Sequence, residues 1–158
     1  MGKTIPLTQA KFDEFTTKLK YYETVRRTEI SDAIRIAKEF GDLSENAEYT
    51  AAKDAQEKLE IEIATISAIL SSAYPIDISL LGTNEISIGN VVVVFDNTYE
   101  EEIKYQLVSS YETNSVENKI SDQSPIGKAL VGKKVGDIAQ VYLPNGDVNT
   151  FKILSISK

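Results

Sequence analysis

The stretch Gly-Asp-Leu-Ser-Glu-Asn-Ala-Glu-Tyr at residues 41–49 decides how the first half of this chain folds. It separates two long segments of helical periodicity, and it places the carboxylates of Asp42 and Glu45 three residues apart. Two long helices that are joined by a very short connection must be antiparallel neighbours. The stretch therefore predicts a helical hairpin with an acidic turn.

The first helical segment is predicted to run from Thr8, a plausible N-cap, to Gly41, a residue that suits a helix end. Its apolar residues fall three and four apart, as in a helix that packs against a partner along one seam. This first seam comprises Phe12, Phe15, Leu19, Tyr22, Ala33, Ile36 and Phe40. Arg26 and Glu29 interrupt it, so we expect the helical register to drift there.

The second helical segment is predicted to begin near Ser44 and to end near Ser72. Asp42 and Glu45 have the spacing of an N-cap and the third helical residue in a capping box. The second seam comprises Ala52, Ala55, Leu59, Ile63, Ile66, Ile69 and Leu70. Its alanines lie nearest the turn, and small seam residues let two helices approach closely.

The second half of the chain has short β-type runs. The dipeptide Tyr74-Pro75 is expected to end the helical half, because proline disfavours helix in the residue before it. Strands are predicted at 76–80, 91–95, 104–108, 138–143 and 148–156. Residues 144–147, Pro-Asn-Gly-Asp, predict a hairpin turn, and Ser124 followed by Pro125 predicts a short helix at 126–130. The pattern indicates an α+β domain with one small helix across a mostly antiparallel sheet.

The amino-acid composition limits the kinds of catalytic and metal site that the chain can form. The chain has 158 residues, no His and no Cys, and a formal net charge of −7. These features exclude thiol chemistry, cysteine-based zinc sites and a histidine base, and they argue against a broad basic face that wraps nucleic acid. A paired Asp and Glu suits a hard cation such as Mg²⁺. The N-terminus does not read as a signal peptide, and no run is long enough to span a membrane, so the sequence predicts a cytoplasmic protein.

Three stretches together resemble the bacterial Gre transcript-cleavage factors, closest to the GreA branch. They are GDLSENAEY at 41–49, Val-Arg-Arg at 25–27 and SPIGKALVGKKVG at 124–136. The resemblance covers essentially the whole chain. It implies an N-terminal antiparallel coiled coil over residues 1–75, followed by an FKBP-like α+β domain over 76–158.

The resemblance also implies a function. Members of the family bind RNA polymerase, with the C-terminal domain outside and the coiled coil inserted through the secondary channel. There the residues that match Asp42 and Glu45 help to hold the second Mg²⁺ of the polymerase active site, and backtracked RNA is cleaved near its 3′ end. The expected protein is not an enzyme by itself and binds no cofactor tightly. We expect a monomer, because the hairpin already covers its own seam.

Further site residues follow from the same comparison of positions. Lys38 and Lys53 match a basic patch that contacts the 3′ segment of the RNA, although they could also be surface lysines that pair with Glu39 or Glu57. The residues expected to shape the turn are Gly41, Leu43, Asn46 and Tyr49.

Several alternatives remain open from the sequence. Asp42 and Glu45 could simply cap the second helix. Arg26 and Arg27, far from the turn, are expected to pair with carboxylates, including those of the second helix. At the level of function, a Gre-homologous regulator could occupy the polymerase channel and inhibit without cleavage. A remote alternative is an FKBP-like prolyl isomerase, which would need an apolar pocket lined by aromatic side chains.

Overall fold

The computed structural model describes residues 2–41 and 45–158. Its helical elements are α1 (Gln9–Tyr21), a π-helical segment (Tyr22–Arg26), α2 (Arg27–Lys38), α3 (Ala47–Ser72), a 3₁₀ turn (Ile78–Leu80) and α4 (Pro125–Leu130). Its strands are β1 (Ile5–Leu7), β2 (Ala73–Pro75), β3 (Val91–Asp96), β4 (Glu101–Val108), β5 (Lys119–Ser121), β6 (Ile138–Tyr142) and β7 (Val148–Ser157). None of the helices in this part of the chain combines the length and the apolar character that a membrane crossing requires.

The chain divides into two compact units. The first is centred on Phe12–Ala73, and the second combines Thr4–Lys11 with Tyr74–Lys158. Residues near the N-terminus group with the second unit because the backbone N–H and the hydroxyl of Thr8 both donate to the carboxylate of Glu112, which is 7% exposed. Such bonds offset the cost of burying a charged group. The division into domains at residue 75 stays a prediction.

A π-helical segment interrupts the first long helix at Tyr22–Arg26. A π turn holds one residue more than an α turn, so every later side chain rotates by about 100° around the helix axis. The side chains that α2 buries are consequently Ile30, Ile34 and Ala37. The predicted register drift at Arg26 is confirmed. The predicted seam positions Ala33, Ile36 and Phe40 are wrong, and the last two are 46% and 68% exposed.

Helix α3 supplies the other side of the hairpin core. Its buried residues are Ala52, Leu59, Ile63, Ile66 and Ile69, which confirms the second seam. Ile30 and Ile34 pack with Ala52, Leu59 and Ile63 in one apolar cluster. The antiparallel hairpin expected from the sequence is thus present, with aliphatic side chains along its middle.

One ion pair joins the two long helices outside their core. Arg27 donates from Nε and Nη2 to the two carboxylate oxygens of Glu60 at 2.9 and 2.8 Å. This hydrogen bonding raises the pKa of Arg27 and lowers the pKa of Glu60. Because the pKa of Glu60 is lower in the folded state, its ionised carboxylate adds to the free energy of unfolding above the unfolded-state pKa. This contribution is lost as the pH falls through the folded-state pKa. Both side chains are nearly half exposed, so the ion pair adds little to the stability of the hairpin.

The predicted structural role of Arg27 is confirmed. Arg26 instead pairs with Glu29, three residues later in the chain.

The second unit is built on a five-stranded sheet with the order β5-β4-β3-β7-β6. Its strands are antiparallel except for β4 and β5, as predicted for a mostly antiparallel sheet. The core consists of Ile86, Val92, Val94, Leu107, Leu130, Ala139, Val141, Phe151 and Ile153. The predicted strand at 76–80 is wrong, because Asp77 accepts a hydrogen bond from the backbone N–H of Ser79 and caps a 3₁₀ turn there. The short strands β1, β2 and β5 were not predicted.

Helix α4 begins as the sequence predicts. Ser124 is its N-cap and accepts a hydrogen bond from the backbone N–H of Gly127 at 3.0 Å, and Pro125 follows at the first helical position. Gly127 lies directly against the end of β5. A Cβ atom at that position would stand 1.8 Å from the carbonyl oxygen of Ser121. The contact between helix and strand therefore requires glycine.

We expect the substitution Gly127→Ala to lower the free energy of unfolding by about 2–4 kcal/mol, because its methyl group would force α4 away from the backbone of Ser121. The matched control is Gly82→Ala, since a Cβ at Gly82 meets no heavy atom within 4 Å. That variant should remain within about 0.5 kcal/mol of wild type. Urea unfolding followed by circular dichroism measures both values, and equal effects of the two substitutions would contradict the prediction.

Candidate functional site at the hairpin turn

The predicted site residues that the structure describes lie where α2 ends and α3 begins. Three successive backbone bonds, from Glu39, Phe40 and Gly41 to the carbonyls three residues earlier, close the end of α2. Gly41 then has a φ of 98°, a conformation that favours glycine. Asp42, Leu43 and Ser44 lie outside the described residues. The chain continues at Glu45, whose side chain is exposed.

Asn46 joins the two helices through both ends of its side-chain amide. Its Oδ1 accepts from the backbone N–H of Tyr49 at 3.1 Å and so caps α3. Its Nδ2 donates to the carbonyl oxygen of Ala37 at 2.7 Å, in the last turns of α2. One half-buried side chain thereby satisfies an orphan donor of one helix and ties it to the backbone of the other.

Small residues permit this short link between the helices. Ala37 is 3% exposed and Ala52 is 9% exposed, and each belongs to the inner side of its helix. Tyr49 is half-buried and packs on the cluster that contains Ala52. Small buried side chains at these positions suit the short distance between the Asn46 amide and the backbone of α2.

The capping prediction for the acidic pair is wrong for α3. The helix begins at Ala47 with Asn46 as its N-cap, so it starts after Glu45 instead of near Ser44. Asn46 provides the capping acceptor that the sequence analysis assigned to Asp42 with Glu45. The carboxylate of Glu45 therefore precedes the helix, is exposed, and has no capping task in it.

Glu45 is suited to act as an oxygen donor for a divalent cation, because an exposed carboxylate retains its full set of lone pairs and prefers hard cations. Within residues 2–41 and 45–158 no three carboxylates come together as a ligand set. The chemistry of an exposed carboxylate thus suits Mg²⁺ as one oxygen ligand among several.

The two candidate lysines are both exposed at the ends of the helices next to the turn. Lys38 is the last residue of α2 and directly follows Ala37, to which the Asn46 amide is bonded. Lys53 lies seven residues after Asn46, or about 10 Å along α3. Glu39 is paired with Arg35 at 3.3 Å, and Lys53 donates to Gln56 at 3.1 Å.

The aromatic side chains of the second unit are divided between its core and its surface. Phe151 is 2% exposed, whereas Tyr99 and Tyr142 are 71% and 69% exposed. An apolar cavity of about 550 Å³ does exist in this unit, with Ile76, Leu80, Leu81 and Ile88 among its lining residues. Tyr74 is its single aromatic residue. This arrangement does not favour the prolyl-isomerase alternative.

Sequence reasoning missed the contact that organises the turn, between Asn46 and Ala37. Part of the signal was present, because Asn is among the preferred N-cap residues and stands directly before the first helical residue. The partner carbonyl belongs to a residue nine positions earlier, and no side-chain pattern indicates which backbone carbonyl an amide will reach.

The chain is similar to transcription elongation factors. The family described as "Transcription elongation factor, N-terminal" matches residues 5–74, and "Transcription elongation factor, GreA/GreB, C-term" matches residues 81–158. The protein named transcription elongation factor GreA from Thermoanaerobacter pseudethanolicus is 46% identical over 158 residues, with all of both chains covered. Its namesake from Macrococcus caseolyticus is 45% identical, with 99% of each chain covered. Among solved structures, GreA factor homolog 1 of Thermus thermophilus is 29% identical, with 99% of this chain and 100% of that chain covered, at a TM-score of 0.44.

The link through Asn46 predicts a graded loss of stability. Asn46→Ala removes the cap and the bond to Ala37, and it should lower the free energy of unfolding by about 1–2 kcal/mol. Asn46→Ser keeps a capping oxygen, but its side chain is too short to reach Ala37. It should therefore lower the free energy of unfolding by about half as much as Asn46→Ala. Urea unfolding measures the series, with the exposed Thr50→Ala as control. Equal stability of Asn46→Ala and wild type would contradict this role.

Proposed function

Because the chain belongs to the GreA/GreB family of transcription elongation factors, we propose that it stimulates RNA cleavage by backtracked RNA polymerase. The hairpin enters the secondary channel of the polymerase, and its turn brings Asp42 and Glu45 to the polymerase active site. The factor is not an enzyme by itself, since the catalytic centre belongs to the polymerase. It acts in the cytoplasm, where bacterial polymerase works.

The observation that carries this proposal is the exposed carboxylate of Glu45, directly before the residue that caps α3. Asn46, the next residue, is bonded to both long helices, so the backbone beside Glu45 is fixed while its side chain stays exposed. A ligand held on a rigid element loses little conformational entropy when it meets its target. Capping, the competing explanation for this carboxylate, is supplied by Asn46 instead.

In this role the two carboxylates share one task. Asp42 and Glu45 supply oxygen ligands to a weakly held second Mg²⁺ of the polymerase and orient the water that attacks the phosphodiester. When bound, Mg²⁺ stabilises negative charge on the reacting oxygens and makes water a better nucleophile near neutral pH. The chain has no histidine, so its own part in this chemistry is assigned to the two carboxylates.

Lys38 and Lys53 have a different proposed role, which is to hold the displaced 3′ segment of the RNA. Both ammonium groups are on exposed positions of the helices beside the turn. The polyanionic RNA backbone is attracted to such cations at short range, and the attraction weakens with salt. The overall negative charge of the chain restricts this contact to the local pair.

An inhibitor of the same shape is the second candidate function. It would fill the channel without completing the metal site. The acidic pair in the sequence and the exposure of Glu45 support the cleavage factor over the inhibitor. The names of the relatives, which are transcription elongation factors, agree with that choice.

The proposal predicts the outcome of a cleavage assay in a defined backtracked elongation complex with Mg²⁺. Wild type should release short 3′ RNA fragments. Asp42→Asn and Glu45→Gln should each slow cleavage by about 10²-fold or more while polymerase binding is kept, because each variant removes one anionic ligand and little volume.

Glu48→Gln is the matched control, since Glu48 is also exposed but lies inside α3. It should cleave like wild type. If wild type binds polymerase and blocks it without releasing fragments, the inhibitor is the correct function. If all three carboxylate variants cleave like wild type, the metal role is wrong.

A further inference from the structure

The outer strand β6 leaves one edge of the sheet unprotected. Its sequence, Ile-Ala-Gln-Val-Tyr at 138–142, has no charged residue and no proline, and Ile138 and Tyr142 are 56% and 69% exposed. The opposite edge, β5, has three residues, begins with Lys119, and has that residue bonded to Asn114 on its far side. Natural sheets normally protect their edges against pairing with other chains. The open edge of β6 is therefore a candidate binding surface.

The register of β6 shows which backbone groups the open edge presents. At its two ends the backbone N–H of Ile153 donates to Asp137, and that of Leu143 donates to Asp147. Residues paired with β7 by hydrogen bonds alternate with residues that are not. Ala139 and Val141 therefore face β7 with their backbone groups. The N–H and C=O groups of the other three residues point away from β7, at Ile138, Gln140 and Tyr142.

A cavity of about 470 Å³ follows this edge between β6 and α4, and we name it the β6 groove. It is lined by Lys128, Ala129, Val131, Lys133, Ile138 and Gln140. The groove thus has two ammonium groups beside apolar side chains, in a chain whose net charge is −7. Lys152, which pairs with Ile138 across the two strands, adds a third exposed cation nearby.

We propose that the β6 groove binds an extended acidic segment of a partner protein, which adds to the sheet as a sixth strand. The outward N–H and C=O groups of β6 pair with the backbone of the segment, as in other cases of strand addition to a sheet edge. Carboxylates of the segment lie near Lys128 and Lys133, and its apolar side chains cover Val131 and Ile138. This site belongs to the second unit, and the proposal does not depend on the cleavage role.

Charge and backbone hydrogen bonding favour an acidic peptide over a second copy of the chain or an RNA strand. A second copy of the chain, paired edge to edge, would present its own uncharged β6 and supply no carboxylate from that strand to the lysines. An RNA strand would satisfy the lysines but has no amide groups to match the alternating donors and acceptors of a β edge. An acidic peptide satisfies both features at once.

The test uses the full-length ¹⁵N-labelled protein and a short acetylated peptide of valine and threonine that carries glutamates. Addition of this peptide should shift the amide signals of Ile138, Gln140 and Tyr142 in NMR spectra, and high salt should weaken the binding. The double variant Lys128→Glu with Lys133→Glu should weaken it by about tenfold or more. Gln140→Pro should also weaken it, because proline removes an outward N–H without removing a bond to β7.

The control double variant, Lys104→Glu with Lys158→Glu, makes the same change in net charge at exposed positions away from the groove, and it should bind like wild type. A version of the peptide that is N-methylated at alternate residues should bind at least about tenfold more weakly, since it cannot form the backbone ladder. The proposal is overturned if the acidic peptide leaves the β6 amides unshifted, if a short RNA shifts them as strongly, or if the protein self-associates through β6 instead.

Discussion

The two long helices are held at the turn by one side chain, and the geometry of the acidic site depends on it. The amide of Asn46 reaches the Ala37 carbonyl at 2.7 Å and caps α3 with its oxygen. The buried residues of the two helices nearest the turn are alanines, Ala37 and Ala52, and their small size suits this short link. Because Asn46 is bonded to both helices, the backbone directly after Glu45 is held in place while the Glu45 carboxylate is exposed. Rigidity is the property that a ligand supplied to another protein's metal site needs most.

Much of this arrangement follows from the sequence, and the exceptions have physical causes. Local chemistry predicted the hairpin, the cap at Ser124 and the alternating strands, because these depend on residues close together in the chain. The buried positions of α2 were missed, since a π turn at Tyr22–Arg26 shifts the register by one residue and no side-chain pattern specifies how a helix absorbs a mismatch. The short strands β1, β2 and β5 were missed because each has three residues, too few to show an alternating pattern.

The acidic residues Asp42 and Glu45 also show how far the sequence alone can predict the site. Residue types at the turn indicated oxygen ligands, and their spacing also suited a helix cap, so sequence alone left two explanations for the same carboxylates. The position of the first helical residue separates them for Glu45, because Asn46 takes the cap and Glu45 is left exposed before the helix. In the function that we propose, the chemistry is divided between two proteins: the polymerase holds the reacting groups, and this chain adds carboxylates to them.

The dependence of RNA cleavage on Mg²⁺ concentration tests this division most directly. Cleavage in a backtracked complex would be titrated with Mg²⁺ without factor, with wild type and with Glu45→Gln, each factor at saturating concentration. If the turn completes a weak metal site, wild type lowers the Mg²⁺ concentration needed for half-maximal cleavage, and Glu45→Gln returns it toward the value without factor. If the two proteins give the same Mg²⁺ dependence, Glu45 does not act through the metal and the account is contradicted.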